Sequence, residues 1–497
     1  MKAVVLTFDR LPTHLLGCYG NEWTETPGFD RLASLGSVFD QHFAEVPGAV
    51  SANHPWWTGR FEYFRDSASE KLSDDGGSDR SRSSGQSWLQ RLSAQGVKCR
   101  LLAENTEGLP TELFYSSEAV GGVTGLNAAH DDVPIARLVQ RGIEILEGDG
   151  SETAGVDEDS PTELLWLHSQ GVPSPWLPPR LFAELYLDEL EEIVDGESGS
   201  EIASDLVGQF ENDPDLVRLL LSDWRREAEI EVEPEVDGES GEAATADAPA
   251  SSSEESDDID SPELERQISR LVFAGYVSMI DRWLLKLLEA VESLDEKILL
   301  VVSANQGHSF GEILDLLPGA VESTVAARSE ADHSSGRSLT GWLSDTDVRT
   351  PLLLAEFSRA ADNCEFGSRH AALAQPVDVA ATLEDWLGGR TGSDGGTGCE
   401  SESVGKNLLA AIAGDTPEGR SEAVYLGPDG QLGIRSLHWA LVTSAEALLD
   451  EELVHSDVRL FTKPDDQWDV HDVSSQYSEV VDTLLDQLRQ RTRRGGK

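Results

Sequence analysis

The first residue that could do chemistry is Asp9, which follows the apolar run 4–8 near the start of the chain. In open α/β sheets, ligands bind outside the carboxyl ends of the strands, so a carboxylate at the end of this run lies where a ligand binds. A carboxylate there could hold a divalent cation, although calcium prefers several carboxylates among six to eight oxygen ligands. Arg10 stands beside Asp9, and the alternative interpretation is that these two side chains pair or hydrogen-bond at the sheet edge.

Five apolar runs have the strand character that such an edge requires. They are continuous rather than alternating, and helical patterns separate them, which is typical of a parallel sheet covered on both faces. The sequence therefore predicts an α/β fold with a mostly parallel central sheet flanked by helices. The runs are Val4–Phe8, Val97–Ala103, Leu164–Leu167, Ile298–Val302 and Thr350–Leu354.

Apolar residues spaced three and four apart predict a long helix from about Pro262 to Leu294. Near the end of the chain, Glu479–Gln490 is predicted to form a terminal helix and Leu432–Val442 to be part of a smaller sheet. We therefore expect a small C-terminal α+β subdomain besides the main domain. The predicted boundaries are 1–390 for the main α/β domain, 391–420 for a linker and 421–497 for the subdomain.

Three segments are rich in Gly, Ser and acidic residues. The longest is at about 195–261, where burial of the stretch 236–260 cannot offset the entropy of ordering, so we expect an acidic, partly disordered insert. Within the insert, 202–226 has helical periodicity and is a candidate docking helix. The segments 66–87 and 392–401 are predicted to be loops.

The charge of the chain limits its partners. The 497 residues include 92 acidic and 38 basic ones, a formal net charge of −54, which argues against nucleic acid and anionic membrane surfaces. No apolar segment reaches the roughly 20 residues of a membrane span, and the N-terminus has no signal-peptide pattern. The four cysteines form no C-x-x-C pair, which fits a reducing compartment. We expect a cytoplasmic protein whose partner is a protein or a small-molecule ester.

Several motifs resemble segments of the sulfatase family, and they occur along the chain in the family's order. This resemblance implies the alkaline-phosphatase-like α/β fold with a small C-terminal subdomain, and it implies hydrolysis of sulfuric esters. The matching segments outside the acidic insert are Asp9–Gly20, Thr26–Ala33, Thr58–Arg60, Pro175–Pro179, Val301–Glu312, Val348–Leu352, Val377–Leu383 and Gly433–Val442.

The resemblance implies a nucleophile made from a Cys or Ser, but the matching position does not hold one. Counting back from Thr58–Arg60 places the nucleophile on Ala49, whose methyl group cannot attack an ester. Ser51 lies two residues further on and could supply a hydroxyl if the register slips. Otherwise Ser51 is an ordinary polar residue near the start of a helix. Asn53 stands where the family has an arginine.

The resemblance also implies a divalent cation, calcium, bound beside the nucleophile. Asp9 keeps its position as a metal ligand, but the later pair of ligands has become the neutral amides Asn305 and Gln306. The positions that grip the sulfate have changed as well, because Glu104 replaces a lysine and Pro173 replaces a histidine. A carboxylate at position 104 repels a sulfate, so the sequence predicts that the anion site has been lost.

Four histidines fall near the mapped cleft and could form a different site. Together with Asp9, they could bind zinc through neutral imidazole nitrogens. The alternative is that each is a hydrogen-bonded structural residue, since none shows the i, i+4 spacing of a helix-borne ligand pair. The four are His14, His54, His308 and His333.

Three hypotheses about function follow. The favoured one is a catalytically inactive sulfatase-like protein that needs no cofactor and acts in binding or assembly, because the nucleophile position is Ala49 and the metal and sulfate ligands are mostly replaced. The second hypothesis is an active sulfate or phosphate ester hydrolase with an unconventional metal site around Asp9, Asn53, His54, Asn305 and His308. The third hypothesis is an acidic interaction protein whose insert is the functional part.

Overall fold

The structure is a computed structural model, and the acidic insert before Ser261, the loop at 66–85 and the segment at 392–401 lie outside the residues it describes. Our predictions for those segments, including the docking helix at 202–226, therefore remain predictions. The described residues are 1–48, 50–61, 86–148, 162–173, 178–186, 261–308, 342–358, 367–388, 405–427, 430–449 and 458–494.

An eight-stranded sheet forms the centre of the molecule, with the strand order β4-β3-β5-β1-β6-β7-β2-β8. All five predicted apolar runs contribute a strand to it, and β1 is central with parallel neighbours on both sides. Our prediction of an α/β fold with a mostly parallel sheet is confirmed. The strands β1 to β8 are Lys2–Arg10, Ser37–His42, Lys98–Ala103, Ser116–Ala119, Glu163–Gly171, Ile298–Gln306, Leu352–Phe357 and Ser368–Ala374.

One predicted run differs from the others in direction. β7 runs antiparallel to both of its neighbours, β6 and β2, while the other described pairs of this sheet are parallel. Residues buried on both faces give a continuous apolar run whatever the strand direction, so the sequence pattern did not reveal this reversal.

Helices cover both faces of the sheet. Helices 27–35, 134–147 and 261–293 pack on the face that carries Val4, Leu6 and Phe8, and helices 55–58, 88–94 and 376–386 pack on the face of Val5 and Trp166. The long helix predicted from Pro262 to Leu294 is confirmed. The helices are Pro27–Leu35, Pro55–Thr58, Trp88–Ala94, Pro134–Glu147, Arg180–Ala183, Ser261–Ser293, Asp345–Val348, Pro376–Trp386, Leu409–Ile412, Ala445–Leu449 and Ser478–Arg494.

Helix 27–35 is capped by a side chain from a distant helix. Asp281 accepts hydrogen bonds from the backbone N–H groups of Gly28 at 2.8 Å and Phe29 at 2.7 Å. These two N–H groups have no partner within their own helix, so the carboxylate satisfies them and complements the helix dipole. Gly28 makes the close approach possible, because a Cβ there would lie 2.7 Å from the Asp281 carbonyl oxygen.

A second sheet of four antiparallel strands, in the order β12-β11-β10-β9, packs against helix 478–494. It confirms the small α+β subdomain expected near the C-terminus and the smaller sheet expected around Leu432–Val442. The Gln375 side chain joins this sheet to the main domain, because its amide donates to Val424 O at 2.8 Å and accepts from Val424 N at 3.3 Å. The strands β9 to β12 are Ala423–Leu426, Gln431–Arg435, Trp439–Ser444 and Val458–Thr462.

Buried ion pairs also hold the small sheet, and we call this group the Lys463 cluster. Lys463 Nζ lies 2.5 Å from Asp469 Oδ1 and 3.5 Å from Asp345 Oδ2, and Arg435 Nε lies 3.4 Å from Asp345 Oδ1. The Asp345 backbone N–H donates to Asp469 Oδ2 at 2.5 Å. Since the four side chains are at most 7% exposed, the two cations compensate two buried carboxylates.

Among the described residues, we find no helix that is long and apolar enough to cross a membrane.

Candidate functional site

Three polar side chains lie on one face of the sheet at the carboxyl ends of its central strands. They are Asp9 of β1, His168 of β5 and Asn305 of β6. Side chains alternate along a strand, so residues separated by an even number share a face. Each of the three follows by two or four residues a buried apolar side chain of the same core, namely Val5, Trp166 and Val301.

Asn305 ties the loop after β2 to the end of β6. Its Nδ2 donates to the carbonyl oxygens of Val46 at 2.9 Å and Gly48 at 2.8 Å, and its Oδ1 lies 2.6 Å from His54 Nε2. The two carbonyl acceptors fix which end of the amide is nitrogen, since a carbonyl cannot donate. Asn305 is fully buried and uses both ends of its amide.

The tautomer of His54 follows from its other nitrogen. His54 Nδ1 accepts a hydrogen bond from the Trp56 backbone N–H at 3.3 Å, so the ring proton is on Nε2 and is donated to Asn305. The same bond makes His54 the N-cap of helix 55–58, which explains a histidine directly before Pro55. Burial lowers the pKa of His54 to about 3, so the ring is neutral at pH 7.

Asp9 also binds the loop after β2, through the backbone of Val50. Its Oδ1 accepts from the Val50 backbone N–H at 2.9 Å and lies 3.3 Å from His168 Nε2. Burial raises the pKa of Asp9, but the charge and hydrogen bond of His168 and the bond from Val50 outweigh it, and the net pKa is lowered. Asp9 is therefore a carboxylate at neutral pH, and the His168 imidazole is its partner on β5.

The Thr7 hydroxyl forms a hydrogen bond with the His168 ring. His168 Nδ1 lies 3.0 Å from Thr7 Oγ1, which also accepts from Trp166 Nε1 at 2.8 Å. When Thr7 donates to Nδ1, the His168 proton is on Nε2 and faces Asp9. The order carboxylate, imidazole, hydroxyl resembles a nucleophile-activating triad, but Thr7 is fully buried and cannot reach a ligand. These residues orient Asp9 and supply no nucleophile.

Glu104 extends the site toward β3. Its Oε1 accepts from Ser169 Oγ at 2.6 Å and its Oε2 from the Gln170 backbone N–H at 3.0 Å. Burial raises the pKa of Glu104 to about 7, although the bonds from Ser169 and Gln170 and the nearby His168 act in the opposite direction. This side chain stands where the sulfatase resemblance implies a sulfate-binding lysine, and Ser169 and Gln170 hold it in place.

Four further predicted site residues, Ser51, Asn53, Gln306 and His308, lie among the described residues. Ser51 is half-buried and its Oγ accepts from the Asn53 backbone N–H at 3.2 Å, while Asn53 itself is exposed. His308 is buried and stacks on Phe273 with ring centroids 4.9 Å apart, and Gln306 is buried at the end of β6. Ala49 lies outside the described residues, between two residues that bind Asn305 and Asp9.

The proposed zinc cluster is not assembled by the described residues. The His14 ring packs edge-on against Trp468 at 5.9 Å, whereas His54 is bonded to Asn305. His333 lies outside the described residues. Within the part of the chain that the structure describes, no group of three or more His, Cys, Asp or Glu side chains is arranged to hold a metal ion.

The residues at the implied cation positions do not fit a calcium ion. Calcium requires oxygen ligands that point at it, and Asp9 offers a carboxylate. At the other position, the N–H groups of the Asn305 amide point at the carbonyl oxygens of Val46 and Gly48, and His54 Nε2–H occupies its oxygen. Asn305 Nδ2 already lies beside the carbonyl oxygens of Val46 and Gly48, so we derive no reaction step through a metal.

Sequence reasoning missed His168, Thr7 and Ser169. The signal was present in part, because His168 and Ser169 directly follow the apolar run Leu164–Leu167, as Asp9 follows its own run. Polar residues at the end of every predicted parallel strand are candidates for a site by the same rule that singled out Asp9.

Replacing Glu104 by glutamine should change how stability depends on pH. A carboxyl whose pKa is about 7 in the folded protein and 4.5 when free in water binds a proton on folding, so its charge destabilises the folded state above pH 7. This cost disappears as the pH falls from 7 to 4.5. Urea unfolding should show Glu104→Gln more stable than wild type by about 1–2 kcal/mol at pH 8 and by roughly a quarter of that amount at pH 5.

The control for this experiment is Glu107→Gln, because Glu107 is an exposed acid of the same loop. Parallel pH profiles for Glu104→Gln and wild type would mean that Glu104 does not carry this proton.

Comparison with known proteins shows which solved structures have a similar fold. No protein-family model matches the chain, and a search of curated proteins finds no relative. Among solved structures, a protein in complex with its substrate D-glucosamine-2-N,6-O-disulfate matches with TM-score 0.60 and 15% identity over 99% of this chain and 97% of that one. A 2-O GAG sulfatase matches with TM-score 0.57 and 12% identity over 99% and 92%.

The phosphonate monoester hydrolase of Agrobacterium radiobacter matches with TM-score 0.55 and 14% identity over 99% of this chain and 96% of that one. Identities this low establish a shared fold and leave the activity to be argued from the site. Sulfatases and phosphonate monoester hydrolases therefore share with this chain one architecture, the alkaline-phosphatase-like fold.

Proposed function

We propose that this protein uses a sulfatase-like fold for binding or assembly and does not hydrolyse esters. The observation that carries the proposal is the Glu104 carboxylate, which Ser169 and Gln170 fix at the carboxyl edge of the sheet. An anionic sulfate entering there meets an acidic side chain, negatively charged above its pKa of about 7, instead of a cation. The absence of a nucleophile at Ala49 and the fully bonded amide at Asn305 support the same conclusion.

The partner we propose is a protein or a small-molecule ester that is not anionic at the end facing Glu104. A net charge of −54 disfavours nucleic acid and anionic lipid surfaces, since both would be repelled over most of the surface. As part of the same proposal, the protein acts in the cytoplasm, for which the widely spaced cysteines remain the supporting observation. Two of them, Cys18 and Cys99, are buried free thiols.

The test is turnover of an aryl sulfate and an aryl phosphate, each with and without calcium, manganese or zinc. We expect no turnover above the rate without protein, and the same result for Asp9→Ala. Metal-dependent turnover in the range of roughly 1–1,000 per second, abolished by Asp9→Ala, would contradict the proposal and establish the alternative of an active hydrolase with an unconventional metal site.

A gain-of-function variant gives the matched control. Ala49→Cys alone should not restore turnover, because the cation position is occupied by the Asn305 amide and Glu104 still opposes the anion. Turnover by this single variant would show that the remaining site is competent and that only the nucleophile had been lost.

A further inference from the structure

The surroundings of Asn305 resemble those of a cation more than those of an ordinary buried amide. Its nitrogen lies within 2.9 Å of two backbone carbonyl oxygens, those of Val46 and Gly48. Carbonyl and carboxylate oxygens are the ligands that hard divalent cations prefer. The amide N–H groups carry partial positive charge and satisfy the same oxygens without any ion.

The loop that carries these carbonyls is fixed to the sheet at successive points. Asn305 binds its residues 46 and 48, Asp9 binds the N–H of Val50, and His54 donates to Asn305 Oδ1. The side chains of Asp9, Asn305 and His54 thus hold the loop together by hydrogen bonds. A bound ion would do the same by attracting several oxygen ligands. Each bond has a donor and an acceptor within the chain.

We infer that the Asn305 amide acts as a built-in substitute for a divalent cation, so that the loop residues 46–48 and 50–54 keep their conformation without metal. This inference builds on the proposed function, but it concerns how the loop is held and is tested by stability rather than by turnover. It predicts that the wild-type fold is indifferent to calcium and to chelators.

The inference also predicts that one substitution creates a need for a cation. In Asn305→Asp, the new carboxylate oxygen faces the Val46 and Gly48 carbonyls without a hydrogen to share, next to a loop that Asp9 already binds. Uncompensated oxygens this close repel one another, and a calcium ion is the chemical species that relieves the repulsion.

The experiment measures the melting temperature of purified wild type, Asn305→Asp and Asn305→Ala in EDTA and in millimolar calcium. Wild type should melt at the same temperature in both. Asn305→Asp should melt lower than wild type by roughly 4 °C or more in EDTA and recover part of this loss in calcium. Asn305→Ala should melt lower in both conditions and should not respond to calcium.

Asn53→Asp is the control for added charge, because it adds a carboxylate to an exposed position of the same loop. The inference is overturned if EDTA lowers the wild-type melting temperature, if Asn305→Asp melts with wild type in EDTA, or if calcium raises Asn305→Asp no more than Asn53→Asp. None of these results depends on turnover, so a hydrolase activity in the wild type would overturn the proposed function separately.

A second measurement decides the matter if Asn305→Asp does not fold. Hydrogen exchange of the Val50 amide in wild type reports directly on the bond to Asp9 and on the loop that Asn305 holds. Equal protection in EDTA and in calcium supports the inference, and protection lost on adding EDTA overturns it.

Discussion

Replacing Lys463 by methionine is expected to destabilise the protein by about 3–5 kcal/mol, as for other buried charges left without a partner. Lys463 is fully buried and lies against both Asp345 and Asp469, so its removal leaves less positive charge beside both carboxylates. Burial already raises the pKa of Asp469 to about 7 despite Lys463, so the variant should lose less stability at pH 5, where that carboxyl is protonated. Urea unfolding at pH 5 and pH 8 measures both effects.

Two further variants make this prediction specific. Lys406→Met removes a lysine that is 39% exposed and pairs with the exposed Glu418, so it should cost no more than about 1 kcal/mol. Adding Asp469→Asn to Lys463→Met should restore part of the lost stability, because it removes one uncompensated charge. A loss for Lys463→Met no larger than that for Lys406→Met would show that the Lys463 cluster is not held by charge.

Trp166→Ala should destabilise the protein by about 3–5 kcal/mol, as expected for a large aromatic side chain removed from a core. Trp166 is fully buried, and its ring centroid lies 4.6 Å from that of Trp57 and 6.3 and 6.4 Å from those of Trp56 and Trp88. These tryptophans belong to the core that packs on the same face of the sheet as the candidate site. Chemical or thermal unfolding of the purified variant measures the loss.

Trp166→Phe separates packing from hydrogen bonding at the same position. Phenylalanine keeps most of the ring but removes the N–H that donates to Thr7, so it should cost about 1 kcal/mol beyond the volume change. Trp23→Ala, at a position that is 37% exposed, should cost clearly less than Trp166→Ala. Equal losses for Trp23→Ala and Trp166→Ala would contradict the central place of Trp166 in this core.

The central strands could be predicted from the sequence because their burial is complete. The runs at 4–8, 164–167 and 298–302 are apolar at nearly every position, and each lies between two strands with helices on both faces. The peripheral strands gave no such signal. β4 reads Ser-Ser-Glu-Ala with every side chain exposed, and β8 mixes exposed, half-buried and buried positions without a regular period. Pairing with an already formed sheet creates these strands, which a local pattern does not reveal.

The sequence predicted where the candidate site lies in the fold, but it did not predict which residues bond to one another there. Asp9 was identified from the strand it follows, and it lies at the expected edge. The role of Asn305 depended on where the loop at 46–48 passes, which is a tertiary fact with no local sequence signal. For the same reason, the contact between Asp9 and His168 was not predicted, because His168 comes from a different strand, β5.

The position of β1 at the centre of the sheet has a consequence for synthesis of the chain. β1 is made first, but its two neighbours are residues 163–171 and 298–306. At about 5–20 residues per second, the second neighbour follows roughly 15–60 s later. Both hydrogen-bonding edges of this apolar strand are open until residues 163–171 have emerged, and one edge stays open until β6 follows; open edges favour aggregation. Shielding of residues 3–8 until β6 has emerged would therefore protect the nascent chain from aggregation.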